Sequence, residues 1–221
     1  MLHVTVVTIF PELFPGPLAA GVVGNALGEQ FSLEVLDLRS FADPPHRQVD
    51  DAPFGGGAGM VLKPEPVLRA VRQVRATRPA VRAILMSPQG ERFTQQKAAE
   101  LAGQEELLLV CGRYQGVDQR AREEIGEELS LGDFILSGGE IAAAAVIETV
   151  VRLLPGVVGN DASLVGETFG AVGFEPPLYT RPAVFEGRAV PEVLRNGNHR
   201  AIEEWRADQR QSVMKGARPA G

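Results

Sequence analysis

The chain holds one cysteine, Cys111, among 221 residues, so it can form neither an intrachain disulfide nor a thiolate zinc cluster of its own. A reducing, cytoplasmic setting fits that usage. Its three histidines, His3, His46 and His199, are scattered with no metal-ligand spacing, so no metal site is expected from the chain's ligands. No apolar run approaches the roughly 20 residues that cross a bilayer, and residues 1–10 lack a basic stretch ahead of a long apolar one. Neither a membrane anchor nor a signal peptide is expected. Basic residues are in deficit, 22 Lys and Arg against 28 Asp and Glu for a net charge of −6, which taken alone argues against nucleic acid. The distribution weakens that objection, because residues 181–221 carry eight basic side chains against five acidic ones. The common nucleotide fingerprints are missing as well. Gly55 to Met60 reads G-G-G-A-G-M, which fails the G-x-G-x-x-G spacing, and no Walker lysine follows a glycine loop. The first strand ends in Ile9-Phe10-Pro11-Glu12 without the glycine turn of a standard Rossmann-type fold.

What is present describes a folded protein: 44% apolar and 23% charged residues, long enough for one large domain and an appendage. Short apolar runs at 3–10, 31–38, 81–86 and 107–111, bounded by Gly and Pro, read as buried strands. Helical patterns at 18–27, 64–74, 94–102 and 117–124 alternate with them, which implies a largely parallel sheet covered on both faces. The stretch 141–154 is strongly apolar and reads as a helix buried on several sides, stopped by Pro155 and Gly156. From 156 to 182 the sequence is rich in Gly, Pro and small residues without periodicity, as in a linker or an ordered functional loop. The expected organisation is one α/β domain over 1–158, a linker carrying active-site residues over 159–180, and a small basic helical module over 181–221. In that module 191–194 and 198–210 read as helical, the second capped by Asn198, and the tail 211–221 as disordered.

Three strand ends run into small-residue loops: Ser87-Pro88-Gln89-Gly90, Gly112-Arg113-Tyr114-Gln115-Gly116, and Gly132-Asp133 leading through Phe134, Ile135 and Leu136 to Ser137-Gly138-Gly139. Such loops let a ligand reach backbone N–H and C=O groups, and in open α/β sheets the ligand crevice lies at the carboxyl ends of strands. Any one of them is as readily a tight turn; three together favour a site. The segment from Asp50 to Met60 joins paired carboxylates, Phe54 and four glycines, and reads either as a surface loop or, with His46 and Arg47 nearby, as a contact to phosphate or base. Cys111 ends an apolar strand and reads as a small buried residue rather than a nucleophile. Trp205 reads as a core anchor.

In order along the chain stand D-D-A-P-F-G-G-G-A-G-M, S-P-Q-G, C-G-R-Y-Q-G-V-D, L-G-D-F-I-L-S-G-G-E, Y-T-R-P and G-N-H. Together they resemble the bacterial tRNA (guanine-37-N1) methyltransferase family, TrmD, of the SPOUT class, over nearly the whole chain from Val4 to about Trp205. The resemblance implies a parallel sheet with a deep trefoil knot, a small C-terminal helical domain, and a homodimer with composite active sites. It implies methylation of N1 of guanosine 37 in tRNA, next to the anticodon, with S-adenosylmethionine as methyl donor and guanosines 36 and 37 in the recognised stem-loop. Magnesium is admitted as a further cofactor that the sequence does not show. Ser87, Pro88, Gly112, Arg113, Tyr114, Gly116, Leu136, Ser137 and Gly139 would surround a bent cofactor. Leu131, Gly132 and Ile135 would lend backbone contacts to adenine, and Glu175 would stand near the cofactor's amino group. With tRNA as substrate, His46, Arg47 and Asp50 beside the glycine-rich segment and Arg181, Arg188, Arg195, His199, Arg200 and Arg206 of the basic module are candidate tRNA contacts.

Methyl transfer from a sulfonium needs in-line placement of the nucleophile and removal of the N1 proton, with negative charge on O6 stabilised. The family's arginine falls on Arg152 and its aspartate on Glu167, so the acid is kept but moved by one methylene. Gln115 and Glu175 depart similarly from Glu and Asp. These departures motivate a second reading, a non-catalytic RNA-binding protein on the same scaffold. A third, a small-molecule enzyme using another nucleotide, is disfavoured by the missing glycine fingerprints.

Overall fold

The computed structural model describes residues 1–159, 164, 167–169 and 174–216, the last six by their backbone alone. The chain divides into two compact units, Met1–Gly159 and Asn160–Gly221. In chain order the strands of the first are β1 (Leu2–Thr8), β2 (Phe31–Asp37), β3 (Asp50–Asp51), β4 (Val61–Leu62), β5 (Arg82–Arg92), β6 (Glu106–Cys111) and β7 (Glu128–Ser130). Its helices are α1 (Gly21–Ala26), α2 (Pro64–Thr77), α3 (Gln95–Ala102), α4 (Gln119–Ile125) and α5 (Glu140–Val151).

Five strands form one parallel sheet in the order β2-β1-β6-β5-β7, while β3 and β4 pair as a separate antiparallel hairpin. Alternate residues along the central strands feed two cores. Val4, Val6, Ile84, Met86, Leu107 and Leu109 pack with residues of α1, α3 and α5, whereas Val7, Leu85, Leu108 and Val110 pack with α2 and α4. A parallel sheet buried on both faces explains why these strands read as continuous apolar runs. α2 begins with Pro64 at its first turn and buries Val67, Ala70, Val71 and Val74, a stripe at helical spacing. α5 buries Ala142, Ala143, Val146, Ile147, Val150 and Val151, which cover more than one face, as its apolar sequence implies. The alternating α/β pattern and the parallel sheet stand as expected.

Several details differ from the sequence reading. Ser87 to Gly90 is not a loop after a strand: β5 continues to Arg92, and Met86 and Glu91 both stand opposite Leu129, so the four residues between them bulge out of the ladder. Only glycine closes that bulge, since a Cβ on Gly90 would lie 2.4 Å from the Glu128 carbonyl carbon and the Leu129 nitrogen. β7 has no counterpart among the expected strands, because three residues with one buried leucine give no periodic signal. The first helix is shortened to 21–26 behind a 3-10 turn, Gly16–Ala19.

In the second unit, β8 (Val184–Phe185) and β9 (Arg188–Ala189) form a hairpin, followed by a 3-10 turn, Glu192–Leu194, and α6 (His199–Gly216). Asn198 caps α6 as expected, its side-chain oxygen accepting from the Ala201 N–H at 3.2 Å. The tail, in contrast, is helical as far as Gly216, because Gln211 to Lys215 are tolerable helix formers and the Gly-Ala-Arg-Pro-Ala-Gly run starts only after them. Trp205 stacks obliquely on Tyr179, ring centres 6.3 Å apart.

Candidate active site

The bulge within β5 and the small-residue segments at the carboxyl ends of β6 and β7 enclose one cleft of about 150 Å³. Every residue named above as a cofactor contact except Glu175 lines it: Ser87 and Pro88 on the bulge, Gly112, Arg113, Tyr114 and Gly116 after β6, and Leu131, Gly132, Ile135, Leu136, Ser137 and Gly139 ahead of α5. Leu85, Met86, Leu129 and Ala142 form its floor.

Each wall is fixed from behind. The Gly139 N–H donates to the Gly112 carbonyl at 2.8 Å, joining the second and third segments across the cleft's base. The Gln115 N–H donates to Met60 O and the Leu62 N–H to Gly116 O, both at 2.9 Å, so β4 braces the second segment. On the bulge, Arg122 donates to Gln89 Oε1 at 2.7 Å while its Nε donates to Glu128 at 2.8 Å. Tyr114 holds φ at 58°, a left-handed conformation uncommon for a bulky residue and frequent at functional positions. In the third segment Phe134, Ile135 and Leu136 expose 53%, 80% and 38% of their surface, an apolar face open to a partner.

At the cleft's edge a half-buried arginine pairs with a buried carboxylate. Glu140, the first residue of α5, is 1% exposed. Its Oε2 accepts from Arg113 Nε and Nη2, each at 2.9 Å, and its Oε1 accepts from the Thr8 hydroxyl at 2.7 Å. The Arg113 guanidinium also donates to the Ser137 carbonyl at 3.3 Å and lies over the Phe10 ring, 4.4 Å from its centre. An acid at the first turn of a helix is favoured by the helix dipole.

Burial pushes the Cys111 thiol well above its ordinary value, and the neighbouring Glu140 charge adds to that. Tyr114 is raised by burial and then by the charge of Asp50, so its phenol stays protonated at neutral pH. Glu128 is lowered: burial opposes ionisation, but hydrogen bonds from Arg122 and Ser87 and the Arg122 charge outweigh it.

Sequence reasoning missed Gln89, Arg122 and Glu140. An acid opening an otherwise apolar helix was the one available signal for Glu140. Arg152, half-buried, follows α5 as its C-terminal cap and does not line the cleft. His46 and Arg47 are exposed on the turn before β3, Arg47 at φ 48°, and Asp50 opens β3. In the second unit Glu167 is half-buried, and the N–H of Glu175 donates to the Thr168 hydroxyl at 3.3 Å. Arg181 and Arg195 are exposed, and His199 is the exposed first residue of α6. Arg188, Arg200 and Arg206 lie beside Glu186, Glu204 and Glu203 on the surface. Among the described residues no group of three His, Cys, Asp or Glu side chains could hold a metal ion, and no helix is long and apolar enough to cross a membrane.

Residues 2–220 match the family model of tRNA (Guanine-1)-methyltransferase, TrmD. The chain is 48% identical over 207 residues to the tRNA (guanine-N(1)-)-methyltransferase of Geobacillus kaustophilus, covering 93% of this chain and 85% of that one. It is 49% identical over 219 residues to the protein of the same name from Agrobacterium fabrum, covering 97% and 93%. Among solved structures, the crystal structure of tRNA (m1G37) methyltransferase from Aquifex aeolicus is similar with a TM-score of 0.79 and 40% identity, over 97% of this chain and 92% of that one.

Proposed function

The chain belongs to the tRNA (guanine-1)-methyltransferase family, and from that premise we propose that it methylates N1 of guanosine 37 in tRNA with S-adenosylmethionine as donor. The observation that carries this reading is the convergence of three small-residue segments on one cleft in a chain that matches the family over residues 2–220. The residues present fit that donor. The segments Gly112–Gly116 and Gly132–Gly139 bring small residues and backbone to the cleft wall, and the exposed Phe134, Ile135 and Leu136 side chains offer an apolar bed for adenine. When bound, it supplies a methyl group on a sulfonium.

The chain's own residues have two tasks. Glu167 takes the proton from guanine N1, and Arg152 offsets the negative charge that builds on O6. Arg152 lies at the far end of a 12-residue helix whose first turn borders the cleft, about 18 Å along the axis. That distance supports a homodimer in which Arg152 of one copy serves the cleft of the other. The deep knot, the basic module as tRNA-binding element, the tRNA contacts assigned to His46, Arg47, Asp50 and the arginines of 181–206, and a cytoplasmic location belong to the same proposal. Any magnesium requirement would concern the tRNA and its phosphate field.

The test is methyl transfer from labelled S-adenosylmethionine to a tRNA transcript bearing guanosines 36 and 37, read by nucleoside mass spectrometry beside a transcript lacking guanosine 37. The expected product is 1-methylguanosine on the first alone, with Glu167→Ala and Arg152→Ala lowering kcat at least a hundredfold. Cofactor binding without any product would favour the non-catalytic RNA-binding reading.

A further inference from the structure

Arg113 borders the cleft, yet its guanidinium is turned to the protein: toward the Glu140 carboxylate, the Ser137 carbonyl and the Phe10 ring. Glu140 is in turn held by Thr8, itself fully buried. One buried carboxylate therefore ties together the end of β1, the segment after β6, the segment ahead of α5, and α5 itself. We infer that Glu140 is a positioning residue: through Arg113 it sets the distance between the two segments that form opposite walls of the cofactor cleft. The inference rests on the reading of that cleft as the S-adenosylmethionine site.

The physical reasons favour a positioning role over simple stability. A buried ion pair contributes little net stability compared with apolar packing, but it fixes geometry because leaving either partner unpaired is costly. Here both Glu140 oxygens are occupied, and Arg113 adds a backbone carbonyl from the opposite wall. Gly138 lets this arrangement form, since a Cβ there would lie 2.0 Å from Arg113 Nε. The adjoining Gly139-to-Gly112 hydrogen bond carries the same spacing into the base of the cleft. A shift of about 1 Å in such a wall is enough to degrade the placement of a reacting group.

The experiment uses the full-length protein with Glu140→Gln, Arg113→Gln and the double variant. Glu140→Gln should weaken calorimetric S-adenosylmethionine binding at least tenfold and raise its KM in proportion, while lowering kcat much less and leaving affinity for an anticodon stem-loop within twofold. The amides of Gly116 and Gly139 should exchange with deuterium faster than in the wild type, with exchange elsewhere unchanged. If Glu140 acts through Arg113, the double variant binds the cofactor no more weakly than Arg113→Gln alone. Multiplying effects, or Glu140→Gln binding within twofold of wild type with Gly116 and Gly139 still protected, would overturn the inference. A merely structural role would lower kcat with the folded fraction and leave KM unchanged. Should Glu140→Gln fail to fold, Thr8→Val removes one hydrogen bond from the same carboxylate at equal shape and is read by the same amides. Wild-type protein that takes up no S-adenosylmethionine would contradict the proposed function, whereas the amide exchange would still decide the role of Glu140.

Discussion

Replacing Gly139 with alanine would set a methyl carbon 2.9 Å from Cys111 Cα and Met86 Cβ and 3.0 Å from the Gly112 nitrogen. Carbon atoms pack best at about 3.5–4.0 Å, so the overlap is roughly 0.6 Å or more against backbone and Cβ atoms that cannot swing aside. Gly139 has an ordinary φ of −77°, so the cost is steric and not conformational. Overpacking of this kind costs about 1–3 kcal/mol, from which the lower unfolded-chain entropy of alanine recovers about 0.4–1 kcal/mol. A net loss of about 1–2 kcal/mol corresponds to a Tm lower by roughly 2–8 °C for a chain of this size. The strain falls on the joint between Gly112 and Gly139, so S-adenosylmethionine binding should weaken by about tenfold as the wall moves. Gly103→Ala is the matched control: it ends α3 at φ −80°, and its nearest neighbour would be Glu100 O at 3.5 Å. Differential scanning calorimetry and calorimetric titration of both variants decide the matter. If Gly139→Ala melts and binds cofactor like Gly103→Ala, the close approach of the two cleft walls is refuted.

Cys111 should resist a disulfide reagent at pH 8 in the native protein and react at once in guanidinium, because the thiol is buried and its pKa raised; prompt reaction of the native protein would contradict that burial. Glu128 has a folded pKa below its ordinary value of 4.5, so its stabilisation is fully present above that value and is lost as pH falls through the lower one. Melting between pH 6 and 3 should therefore show a smaller drop for Glu128→Gln than for wild type, and parallel curves would refute the assignment. Alanine at Arg181, Arg188 or Arg195 should weaken tRNA binding and flatten its salt dependence, the slope falling by about one for each phosphate the variant leaves unneutralised, as measured by filter binding at several salt concentrations; unchanged affinity would remove these arginines from the interface.

The sheet was legible because its strands are buried on both faces and so read as uninterrupted apolar runs, as in Leu107 to Val110. The three cleft segments were legible by their clustered Gly, Pro and Ser, most plainly at Gly112, which directly follows the apolar run ending at Cys111. What escaped was set by contacts distant in sequence. The bulge at Ser87–Gly90 exists only because β7 pairs on either side of it, and β7 itself has too few residues to announce a strand. Glu140 looks like any first-turn acid until the fold brings Arg113 and Thr8 to it from 27 and 132 residues away. Arg122 and Gln89 look like surface side chains, yet they meet each other across 33 residues to brace the bulge. The disordered reading of 211–216 failed for a local reason, since helix propensity continued past the point where composition began to thin.

The most direct measurement is a crystal structure of the full-length protein grown with S-adenosylmethionine. The cofactor is expected in the cleft, its polar end on the backbone of Gly112 to Gly116 and its adenine against the segment from Leu131 to Leu136. Cofactor bound anywhere else on the chain, or no contact with these segments, would contradict the assignment of this cleft as the site of methyl transfer.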